Sequence, residues 1–62
     1  MNRSNLPPAA QTLELLRVSY HLTTMYQSIH LVRIDQRTDN IVVIAGEDIV
    51  IEIDPTGARK VL

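Results

Sequence analysis

Any chemistry in this chain would have to start from His21 and His30, since the sequence holds two histidines and no cysteine. A histidine working with a serine, threonine or aspartate elsewhere is the minimum for nucleophilic catalysis. That combination arises by chance in almost any protein. No Gly-rich phosphate loop and no paired-histidine helix motif accompanies either residue. His21 falls on the polar flank of an expected helix and His30 at the start of an expected strand. At both places a surface or hydrogen-bonded histidine is the ordinary reading. A catalytic pocket also needs walls, and 62 residues leave little material to build them. The expectation is a chain that is not an enzyme, with no catalytic residue and no cofactor.

The carboxylates are the next candidates. Asp48, Glu52 and Asp54 share one face of an expected strand, with Glu47 in the adjoining turn. Hard cations favour such oxygen clusters. Residues two apart on a strand face are, however, some 6.5–7 Å apart, too far to converge on one ion unaided. Asp35 and Asp39 do not match calcium-loop spacing either. No metal site is expected, and the acidic face reads as solvated surface that discourages edge-to-edge aggregation. Arg33, Arg37, Arg59 and Lys60 are the remaining group. They would form a phosphate-contacting patch if the first and fourth strands lay side by side. The net charge of −1 and the absence of interleaved aromatics argue against it.

The elements that hold these residues must come from a short chain with a plain core. A domain this size hides only about 60% of its unfolded surface. It has no Phe, no Trp and two tyrosines, Tyr20 and Tyr26, so large aromatic contributions are missing. Without cysteines it also lacks disulfide or zinc staples. Association with a protein partner or with itself is the expected remaining source of stability. No apolar run approaches the roughly 18 residues needed to span a bilayer, and the N-terminus carries no apolar leader segment. A cytoplasmic protein without membrane contact is expected.

The pattern predicts a flexible arm over 1–7, a helix over 8–27 and a β-meander over 29–62, all in one small domain. Pro7 and Pro8 suit the first turn of a helix, with Ser4 or Asn5 as a cap. At 100° per residue, Leu15, Val18, Leu22, Met25 and Tyr26 share one arc, which is the expected core face. Ala9, Leu13, Leu16 and Tyr20 form a second apolar stripe on nearly the opposite side. His30, Val32 and Ile34 alternate with Leu31, Arg33 and Asp35 as a half-buried strand would. Asn40 is the residue expected to take positive φ in the following turn. Residues 41–45 are apolar on both faces, which suggests a central strand. Ile49, Ile51 and Ile53 alternate with polar neighbours, and Pro55-Thr56-Gly57 is a turn signal before a short fourth strand. Short connections make the neighbours antiparallel. The expected fold is α+β, one N-terminal helix packed on a three- to four-stranded antiparallel meander. One face of that sheet would be left showing Val42 and Ile44, with Leu31 or Leu62 beside them.

Two stretches resemble known families. Residues 46–62, GEDIVIEIDPTGARKVL, are similar to the closing hairpin of swapped-hairpin transcription factors and antitoxins. Those dimers read DNA with basic residues of an earlier hairpin, whereas here a long helix comes first and no arginine-rich strand–loop pattern is present. Residues 22–53 resemble a family of short uncharacterised cyanobacterial proteins with a domain of unknown function. The likeness is carried by Leu22, Thr23, Met25, Tyr26, Gln27, Ile29, His30, Leu31, Val32 and Arg33, then Asp35, Arg37 and Thr38, then Ala45, Gly46 and Glu47. It implies a cyanobacterial source and no particular activity. The chain departs from it over 58–62, where the family ends in aromatic residues.

The function these features suggest is that of a small non-enzymatic interaction protein, a homodimer or an accessory subunit of a larger complex. Leu13, Leu16 and Tyr20 on the helix, with Val42 and Ile44 on the sheet, are the candidate partner-binding residues. The alternative is a DNA-binding regulator or antitoxin-like dimer in which Arg33, Arg37, Arg59 and Lys60 contact phosphate.

Overall fold

The computed structural model describes residues 7–62. Apart from Pro7, the expected arm and the candidate caps Ser4 and Asn5 lie outside those residues. Helix α1 spans Ala9–Thr24, followed by β1 (Ile29–Asp35), β2 (Asn40–Ala45), β3 (Ile49–Ile53) and β4 (Arg59–Val61). The strands pair antiparallel in chain order, β1-β2-β3-β4. This is the expected α+β fold, one helix on an antiparallel meander, with all four strands formed.

Both ends of α1 differ from the sequence reading. Pro8 is extended, with φ −56° and ψ 152°, and occupies the N-cap position. The prolines therefore precede the first turn rather than fill it. The Pro8 carbonyl accepts the first helical bond from the Thr12 amide at 3.0 Å. At the other end the helix stops at Thr24 instead of running to 27. The Tyr26 amide donates to the Thr23 carbonyl and the Gln27 amide to that of Leu22. That bond pair closes a helix through a left-handed residue, and Tyr26 supplies it at φ 60°. The position normally goes to glycine or asparagine, because a Cβ there is crowded by the carbonyl oxygen. The reversal turns Met25 and Tyr26 out of the core arc that periodicity assigned them. Met25 is exposed and Tyr26 is 94% exposed.

What remains of the core face packs well. Val18 and Leu22 lie over Ile41, Val43, Ala45, Ile51 and Ile53, with Leu15 and Ile49 at the margin. Register explains the set: Ile41 faces Ile53, Val43 faces Ile51 and Ala45 faces Ile49 across the central pair, all on the helix side. Fully burying an aliphatic side chain of this kind stabilises by about 1.5–3 kcal/mol. Gln11 joins them on the same arc, 1% exposed. Its Nε2 donates to the Asp39 carbonyl and to the Ile53 carbonyl, each at 2.8 Å. One amide thus pins the start of α1 to the β1–β2 turn and to the end of β3. Asp39, not Asn40, takes the positive φ in that turn, which places its carbonyl within reach of Gln11. Gly57 closes the opposite corner. Its φ is +91°, and a Cβ there would stand 3.0 Å from the Ala10 carbonyl oxygen.

The largest departure is β1. It was expected to be half-buried, yet it is exposed along nearly its whole length. A bulge between Ile29 and Leu31 shifts the alternation, so Ile29, Val32 and Ile34 stand opposite Ala45, Val43 and Ile41 on the helix side. His30 falls in the bulge instead of joining that row. The cause is width. A helix is about 10–12 Å across and strands are about 4.8 Å apart, so α1 covers β2 and β3 and leaves β1 without a roof.

Candidate functional site

The two flanks of α1 are chemically unlike. Toward β4 the helix presents Glu14, Arg17 and His21. The Glu14 carboxylate receives Arg17 Nη1 at 3.5 Å and, from β4, Arg59 Nε at 3.4 Å. Val61 and Ile51 lie below this side, with His21 and Met25 around a small cavity. The ion pairs tie β4 to the helix, but Val61 and Met25 on that side stay exposed.

Toward β1 the flank carries no charge. Thr12, Leu15 and Ser19 project there, and with Pro7, Ala9, Leu13 and Leu16 they line a shallow groove of about 720 Å³. The two hydroxyls do not offer their donors to a ligand. Thr12 Oγ1 donates to the Pro8 carbonyl at 3.2 Å and Ser19 Oγ to the Leu15 carbonyl at 2.8 Å. The groove is apolar in effect. Above it runs the outward stripe, with Leu13 at 48%, Leu16 at 66% and Tyr20 at 67% exposure. On β1, Ile29, Val32 and Ile34 form a second partly exposed apolar row on the helix side of the sheet.

The face of the sheet turned away from α1 is less open than the sequence suggested. Val42 is only 8% exposed, lying in a row between Arg33 and Glu52, with Lys60 beyond. Long charged side chains flank it on both sides, and their stems can cover it. Ile44 is half-buried, opposite Leu31 on one side and Val50 on the other. The Leu62 amide donates to the Val50 carbonyl at 2.8 Å. Leu31, Ile44 and Val50 thus share one row, with Leu62 beside it, and the expected neighbours of Ile44 are found there. Of the two sheet residues proposed for partner binding, Val42 is already covered within a single chain.

The basic residues do not converge. β1 and β4 are the opposite edges of the sheet, so the side-by-side arrangement that a phosphate patch required is absent. Arg59 stands on the helix side and pairs with Glu14. Arg37 sits in the β1–β2 turn with Nη2 at 3.4 Å from Asp35 Oδ2. Arg33 and Lys60 share the far face, with Val42 and the Glu52 carboxylate between them.

The acidic residues work in turns. Asp54 Oδ1 accepts from the Thr56 hydroxyl and amide and from the Ala58 amide, and these bonds hold its carboxyl below the ordinary carboxylate range. The Arg37 amide and then its guanidinium do the same to Asp35. Asn40 Nδ2 reaches Glu52 Oε1 at 3.5 Å. Among the described residues no group of three or more His, Asp or Glu is placed to hold a metal ion. His30 Nε2 donates to the Gly46 carbonyl at 2.7 Å and so ties the bulge to the β2–β3 turn. His21, on the β4 flank of the helix, is a separate group. Among the described residues no helix is long and apolar enough to cross a membrane.

Sequence reasoning overlooked Gln11, Glu14 and the exposed row on β1. Gln11 carried a usable signal, since it precedes Leu15 and Val18 by four and seven residues on the core arc. Glu14 had half of one, in its spacing to Arg17. The exposure of Ile29, Val32 and Ile34 had none, because their pattern is that of a covered strand.

A protein-family model described as Domain of unknown function (DUF6888) matches residues 6–60, which takes in all of α1 and ends within β4. No curated protein and no solved structure matches the chain.

Proposed function

We propose, for a chain that belongs to the DUF6888 family, a role in binding rather than catalysis: a small interaction protein that acts as a homodimer or as an accessory subunit of a larger complex. The observation that carries this reading is the aligned exposure of Leu13, Leu16 and Tyr20 beside a charge-free groove. Single exposed leucines need no explanation. Three large side chains in line, with a second apolar row on β1, make a patch of the kind that partners cover. Covering it would contribute about 25 cal/mol per Å² removed from water, which a domain this small cannot obtain from its own core. A cytoplasmic location in a cyanobacterium belongs to the same proposal and rests on the resemblance of residues 22–53.

The test is light scattering after size-exclusion chromatography, paired with affinity capture from lysate. An assembly, or a retained partner, that is lost when Leu16→Glu is introduced is the expected result. A stable monomer at micromolar concentration that retains nothing overturns the proposal.

A further inference from the structure

We draw no further inference here: the strongest candidate, the surface patch of Leu13, Leu16 and Tyr20 on α1 with the exposed Ile29, Val32 and Ile34 row of β1, belongs to the site already described, and nothing in the structure shows what covers it.

Discussion

The two edges of this sheet are finished differently, although both are exposed. At the β4 edge a strand of only three residues is bound back to the helix by Arg59 and Glu14, while its Val61 stays exposed beside His21 and Met25. At the β1 edge a strand of seven residues carries three β-branched side chains on the helix side, each partly exposed. The same helix borders both. A single helix placed over β2 and β3 can be supplemented by charge on one side only if the outer strand there is short. On the longer side the apolar row stays partly open. The difference teaches that an unsatisfied surface need not be a defect of a small fold.

The sharpest way to break this comparison is to cut equivalent side chains in the covered and uncovered strands. In a Leu16→Glu background, which suppresses association through the helix, Ile53→Ala should cost about 2–5 kcal/mol, as removal of a fully buried aliphatic side chain does. Val32→Ala in the same background should cost under about 1 kcal/mol, as at an exposed site. Comparable losses in urea melts would mean that β1 is roofed after all. Next in size is Gln11→Leu, which fills the space but strands the Asp39 and Ile53 carbonyls. Each orphaned buried acceptor costs about 1–3 kcal/mol, so a drop near 2 kcal/mol is expected, with the β1–β2 turn losing amide-exchange protection first.

A smaller effect is expected at the charged edge. Glu14 is largely covered, whereas its partners Arg17 and Arg59 are well exposed. Glu14→Gln should therefore lower stability by under about 1 kcal/mol, less in high salt. If the change instead matched that of Gln11→Leu, the ion pairs would be holding β4 in place. The gentlest probe is acid. Asp35 and Asp54 are held below their ordinary value of 3.8 in the folded chain. Their contribution is present above that value and is lost as the pH falls through the folded titration. Melting temperature should thus decline on acidification below about pH 4, and Asp54→Asn should flatten part of that decline. A curve unaltered by Asp54→Asn would show that the Thr56 and Ala58 bonds do not favour the charged carboxylate in solution.

Local chemistry made much of this architecture legible. Helix, turns and strand alternation each have a short-range cause, so element order, antiparallel pairing and the α+β class followed from periodicity and turn residues. The outward stripe was legible too, since 100° per residue places Leu13, Leu16 and Tyr20 together regardless of the sheet. The helix end was less so. Met25 and Tyr26 continue the apolar period, and only the left-handed Tyr26 removes them from it. The buried role of Gln11 depends on two carbonyls 28 and 42 residues away, and no local pattern encodes a partner at that distance.

By itself, then, the sequence determined which elements form, in what order, and which helix face is left over. Those properties depend on neighbours a few residues apart. Tertiary structure alone decided where the helix sits across the sheet, and with it which strand goes uncovered, which basic residues are paired off and toward which edge the uncharged flank of the helix turns. That placement is a competition among long-range contacts of similar energy, settled by the width of a helix against the width of four strands.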